Sequence, residues 1–162
     1  MTVDVRSVAN FVLEVAQGEG VGVTNLSLNK IIYFLHAESL ARFDKPLVKA
    51  KIEAWKYGPV FREVYSSFKD YGSQPITSKA TRVNKFSGEK EVCTLDAEEH
   101  IGNILTDVCR SYLKLTSSQL VTLSHARGGA WDEVFNHMDP SNPGMSITDE
   151  VIRRNFAPRT FH

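Results

Sequence analysis

Between Asn25 and Phe43 the chain places Leu28, Ile31, Ile32, Phe34, Leu35, Leu40 and Phe43 at spacings that cover more than one face of a helix. A helix that is apolar over so much of its circumference has to be surrounded, so this segment is the expected hub of the core. The rest of the chain suffices to surround it. At 162 residues it falls within the ~100–200 residues of one ordinary domain. Val, Leu, Phe and Ile supply 45 of these residues. That is roughly 28%, above the ~20% below which chains tend to stay disordered.

The flanking periods tell what surrounds the hub. Val5, Val8, Ala9, Val12 and Ala16 recur at helical spacing, with Thr2 as a candidate cap and Gly18 past the end. Thr24 or Asn25 caps the hub itself. From Val48 to Tyr57 the period drops to two, with Val48, Ala50, Ile52 and Ala54 on one side and Lys49, Lys51, Glu53 and Trp55 on the other, which predicts a strand. Pro59 suits the first position of a following helix, whose stripe is Val60, Phe61, Val64, Tyr65 and Phe68. Two weaker strands, 76–86 and 91–95, join around Ser87-Gly88-Glu89 as a basic hairpin. Asp96 with Glu99 begins a helix to about Leu115, Ser117 caps another, and short helices follow over 131–138 and from Ile147 to Phe156. The expected fold is therefore α+β, predominantly α-helical, with about seven helices around a small three-stranded antiparallel sheet, in one domain over residues 1–162.

Nineteen Lys and Arg against nineteen Asp and Glu give a net charge of zero. The balance is uneven along the chain: from Arg42 to Lys90 there are eleven basic and five acidic residues. Such a sequence can turn one surface to an anionic partner or pair its two surfaces with each other, and charge alone does not choose. No apolar run approaches the ~18–20 residues of a membrane-spanning helix. The start, Met1-Thr2-Val3-Asp4, lacks the basic and apolar regions of a secretory signal. A cytoplasmic location without membrane association is expected.

The residues that could carry catalysis are not arranged for it. Gly18, Gly20 and Gly22 lie between two helices rather than after a strand, and no Lys-Ser/Thr follows. Ser124 and His125 are neighbours on a helix and point about 100° apart. His36 and Glu38 diverge in the same way, and no metal-ligand spacing involves Cys93, Cys109 or the five histidines. No enzyme, cofactor or metal is expected. A winged-helix-like DNA-binding regulator is the alternative, on the strength of the strand, helix and basic hairpin in that order. Against it, the segment 60–71 carries Arg62, Glu63, Lys69 and Asp70, balanced in sign. Trp55, Tyr57, Phe61, Tyr65 and Tyr71 cluster within seventeen residues. They serve either a partner surface or a core under further helices.

These residues also carry a resemblance. Leu28-Asn29-Lys30-Ile31-Ile32-Tyr33-Phe34, the run Ile52-Glu53-Ala54-Trp55-Lys56-Tyr57-Gly58-Pro59-Val60, and Leu120 to Trp131 with Ser124-His125 and Gly128-Gly129 resemble the Panacea antitoxin-domain family, also described as SocA-like or phage-associated GepA-like. The resemblance implies a bacterial or prophage antitoxin without catalysis. Its partner is a cognate toxin encoded by an adjacent gene, neutralised by direct contact, and some relatives act as adaptors to a protease such as a ClpXP-type machine. Lys30, Tyr33, Trp55, Gly58, Pro59, His125 and Trp131 match the shared motifs and are expected to be scaffold. Among them, His125 and Trp131 would tie the late helices to the sheet through ring packing and an imidazole hydrogen bond. Contact with a varying partner should fall on residues outside a shared scaffold. The expected contacts are the basic residues Lys49, Lys51, Arg62, Lys79, Arg82 and Lys85, together with the aromatics Trp55 and Tyr57.

Overall fold

The computed structural model describes residues 3–96, 101–137, 142 and 144–158. Helix α1 is Val5–Gly18, capped by the Asp4 carboxylate, which accepts the Arg6 N–H; the expected cap Thr2 lies outside the described residues. Helix α2, Asn25–Phe43, begins at Thr24, whose hydroxyl accepts the Ser27 N–H. It ends at Asp44 in the left-handed region, with φ 51°.

Helix α2 is the hub that its composition requires. The elements that follow it are β1 (Glu53–Trp55), β2 (Gly58–Val60), α3 (Arg62–Phe68), β3 (Thr81–Val83), β4 (Lys90–Val92), α4 (Gly102–Leu113), α5 (Ser117–Ser124), α6 (Ala130–Asn136) and α7 (Asp149–Asn155). The hub packs most closely against α1, α3, α4, α5 and α7 and against the strand β2. There are seven α-helices among the described residues, with a single 3-10 turn, Lys69–Tyr71, after α3.

The sheet differs from expectation. In place of one three-stranded sheet there are two antiparallel pairs, β1 with β2 and β3 with β4. The strand expected over 48–57 contracts to Glu53–Trp55, because Val48 is spent on a parallel bridge to Val3 and the chain turns back at Lys56-Tyr57. Pro59 does not start a helix. It stands in β2 opposite Ala54, whose N–H points the other way, to the Met145 carbonyl at 2.9 Å. The Ala54–Pro59 pair therefore needs no hydrogen bond between its members, and a residue without an N–H fits there. Helix α3 starts three residues later, where Asn29 Oδ1 accepts the Phe61 N–H in place of a capping side chain.

Two further helix starts shift. Helix α4 has Ile101 at its N-cap with no side-chain cap, and Glu99 of the expected capping box lies outside the described residues. Thr116 rather than Ser117 caps α5, in a reciprocal box with Gln119.

The polar residues of α2 explain how a hub can be buried all round. Asn25 Nδ2 donates to the Tyr65 carbonyl, Ser27 meets Ser117, Ser39 donates to the Lys45 carbonyl, and Tyr112 donates to Glu38. The imidazole of His36 accepts the Leu47 and Val48 N–H groups at Nδ1 and donates from Nε2 to Asp149 at 2.7 Å. Each of these polar side chains thereby clamps a different neighbour, which offsets the desolvation penalty of its burial.

Candidate functional site

Two arrangements flank the first sheet. The outer one is built on Glu53, which is 4% exposed although a solvated strand face was expected there. Its carboxylate accepts from Arg62 Nε at 2.5 Å and from the Trp55 indole at 3.2 Å, and Lys51 Nζ lies 3.7 Å away. Burial alone would raise this carboxyl; the hydrogen bonds from Arg62 and Trp55 and the nearby charges of Arg62 and Lys51 outweigh it and hold the group below the usual range. The Arg62 guanidinium lies over the Trp55 ring, and Tyr65 meets that ring edge-on at 5.0 Å. Lys51, Trp55 and Arg62 are thus brought together by an anion that charge counting passed over. Trp55 is half-buried, whereas Tyr57 sits at the hairpin turn, 58% exposed, with the Lys56 ammonium over its ring.

The inner arrangement gathers the shared-motif residues. His125 stacks on Trp131 at 3.7 Å, and Trp131 stacks in turn on Phe135. The hydrogen bond to the sheet comes from the indole, Trp131 Nε1 to the Trp55 carbonyl at 2.8 Å. The expected imidazole bond is not made at Nε2, which is buried without a partner. Lys30 Nζ is likewise buried and unpartnered. Lys30 lies by Gly58, whose φ is 116°; a Cβ there would stand 2.8 Å from Lys30 Cε and 2.7 Å from Ser124 Oγ. Burial pushes the Lys30 amine down to about 8. Burial, and then the charge of Lys30, lowers His125. Tyr33 is buried on the same hub, its phenol pushed up by desolvation, and it lines a small cleft of about 180 Å³ with Ser124 and Phe156. Pro59 is buried within β2. The Ser124 hydroxyl donates to the Val121 carbonyl. Among the described residues no group of three or more His, Cys, Asp or Glu is placed to hold a metal.

The remaining predicted contacts do not join these groups. Lys49 is exposed before the first sheet. Lys79, Arg82 and Lys85 belong to the separate β3–β4 hairpin. Lys79 faces Glu14 of α1 at 3.8 Å, and Arg82 pairs with Glu91 at 3.0 Å and reaches Asp4 at 4.0 Å. Part of the basic segment is therefore neutralised by the acidic remainder of the same chain. Sequence reasoning did not single out Phe86, which is 102% exposed at the hairpin tip. The available signal was an aromatic beside Lys85 with no apolar partner at strand spacing.

The comparisons with known proteins cover the same residues. The family model for SocA-like antitoxins with a Panacea domain matches residues 28–132, from the hub to just past Trp131. Antitoxin SocA of Caulobacter vibrioides (strain NA1000 / CB15N) is 35% identical over 156 residues, 96% of this chain and 83% of that protein. No solved structure matches. No helix among the described residues is long and apolar enough to cross a membrane.

Proposed function

The chain belongs to the SocA-like antitoxin family with a Panacea domain, and from that premise we propose that it neutralises a cognate toxin protein, encoded by an adjacent gene, by direct protein contact. The observation that carries this reading is the division of labour around the first sheet. On the inner side, Trp131 stacks on His125 and bonds the Trp55 carbonyl, and Gly58 leaves room for the buried Lys30 side chain. On the outer side, Lys51, Arg62, Trp55 and Tyr65 are ordered around the Glu53 carboxylate. A rigid scaffold presenting pre-ordered arginine and aromatic side chains is what a protein interface uses for its anchors.

A further step of the same proposal is that the bound toxin is handed to a ClpXP-type protease, this chain serving as adaptor and acting as a single domain in the cytoplasm. Nucleic acid is not the proposed partner. Arg62 and Arg82 are engaged by carboxylates of the same chain, which leaves fewer cations for phosphates.

Co-expression with the product of the adjacent gene tests the reading. Rescued growth and a complex that survives gel filtration are expected, and failure of both overturns it. A salt-dependent shift of a short promoter duplex at ~100–150 mM salt would instead favour the DNA-binding alternative.

A further inference from the structure

The β3–β4 hairpin leaves the body of the protein as an arm, and its two ends are held with unusual completeness. At the root, the buried Asn10 side chain of α1 donates to the carbonyls of Ala80 and Cys93 at 3.0 and 2.8 Å and accepts the Ala80 N–H at 2.7 Å. At the tip, Asn84 Oδ1 accepts the N–H groups of Phe86 and Ser87, the Asn84 N–H reaches the Glu89 carbonyl, and Ser87 Oγ accepts the Glu89 N–H. A two-stranded hairpin is at best marginal on its own in water. Here the Asn10 clamp and the tip bonds supply the order that a third strand would give.

That order is spent on presenting apolar groups to solvent. Phe86 is fully exposed, and Val83 and Val92 are 59% and 45% exposed. The register, Thr81 opposite Val92 and Val83 opposite Lys90, puts both valines and Lys90 on one face, while Arg82 and Glu91 pair on the other. Arg82 and Lys79 have carboxylate partners, but Lys85 and Lys90 form no ion pair among the described residues. Glu89 is likewise without an ion pair among the described residues, so the unneutralised charge of the arm, two lysines against one glutamate, is net positive and lies next to its exposed apolar groups.

We propose that this hairpin is a preformed docking arm whose Phe86 enters an apolar pocket on an acidic face of the toxin, with Val83 and Val92 against the pocket's rim and Lys85 and Lys90 against its carboxylates. The proposal rests on the direct-contact reading above and extends it to the hairpin. A preordered aromatic with flanking cations is the arrangement of an interface hot spot, because little conformational freedom remains to be lost on binding. Charge complementarity would quicken association and make it salt-sensitive.

Calorimetric titration of the purified adjacent-gene product against the wild-type chain, Phe86→Ala and the double variant Lys85→Glu/Lys90→Glu decides the matter. Phe86 is fully exposed, so Phe86→Ala should keep the wild-type melting temperature while weakening binding about 10- to 100-fold. The charge-reversed variant should also bind more weakly and lose part of the salt dependence. If the wild type binds and both variants bind equally well, the arm is refuted while direct contact stands. If the wild type does not bind at all, the direct-contact reading falls and the arm with it. A wild-type dimer in gel filtration that Phe86→Ala converts to a monomer would assign the arm to a second copy of this chain and overturn the proposal.

Discussion

The two tryptophans of the chain are joined: the Trp131 indole N–H, on α6, donates to the backbone carbonyl of Trp55, on β1, at 2.8 Å. Trp131 is 5% exposed and sandwiched between His125 and Phe135. Replacing it with Phe keeps the aromatic stack and removes only the donor, which should cost about 1–2 kcal/mol; Trp131→Ala should cost about 3–5 kcal/mol. Urea denaturation of both variants measures the difference. Equal losses would mean that the hydrogen bond, and not the stacking, carries the attachment.

Lys30 makes stability depend on pH in an uncommon direction. Its amine titrates near 8 in the folded chain and at 10.5 in the ordinary state. Between those values the unfolded chain binds the extra proton, so stability should rise with pH, by up to about 1.4 kcal/mol per pH unit. Below pH 8 the amine is charged in both states and the burial penalty is felt in full. Lys30→Met should remove the rise and be more stable than wild type at pH 7. The comparison belongs below pH 10, since the raised Tyr33 phenol acts oppositely above it. Parallel pH profiles for wild type and Lys30→Met would rule this account out.

His36 has a tautomer dictated by its neighbours. Nδ1 accepts two backbone N–H groups and Nε2 carries the proton toward Asp149. Burial lowers its affinity for a second proton, more than Asp149 raises it, and Arg153 adds to the lowering. As the folded-state value lies below the ordinary 6.5, the unfolded chain binds more protons below that pH. Stability should therefore be fully present above 6.5 and decline as pH falls through the folded value. Nitrogen-15 imidazole shifts at pH 7.5 should report a protonated Nε2, and a protonated Nδ1 would contradict the geometry.

Gly58 is required by both its backbone and its surroundings. With φ at 116° and Ser124 Oγ 2.7 Å from a would-be Cβ, Gly58→Ala should cost about 2–4 kcal/mol. Adding Ser124→Gly should recover part of that loss by removing the hydroxyl. No recovery in thermal melts would place the cost in the backbone and the Lys30 contact at 2.8 Å rather than in the hydroxyl.

Asn10 holds the arm. Asn10→Ala should lower global stability by about 1–3 kcal/mol and, more specifically, accelerate hydrogen exchange over 81–92 ahead of the helices. Uniform acceleration across the chain would argue against a locally clamped hairpin.

The elements most legible in the sequence were those with a long, consistent period. Helices α1, α2 and α4 follow from apolar spacing, because a helix face facing a core repeats over several turns. The β3–β4 hairpin was legible from its turn. The alternation over 48–57 predicts a longer strand than forms, because an alternating pattern does not reveal where the partner strand ends, and Lys56-Tyr57 turns the chain back after three residues. Pro59 alone does not distinguish a helix start from a non-hydrogen-bonded strand position, because both suit a residue without an N–H. At the candidate site, Lys51, Trp55 and Arg62 were named, but the carboxylate that gathers them, Glu53, looked like one more solvated charge.

Sequence alone determined the hub. So many apolar positions around α2 admit no solution but burial, and the shared motifs on and near it identify the family. Only the tertiary structure decided which polar groups are used. Glu53 became the anchor of a surface, Lys30 Nζ and His125 Nε2 were buried without a hydrogen bond, and Phe86 was held out in solvent. Burial of an apolar side chain is nondirectional and can be read from periodicity. The fate of a charge or a hydrogen bond depends on distances of about 3 Å between residues far apart in the chain, which no local pattern encodes.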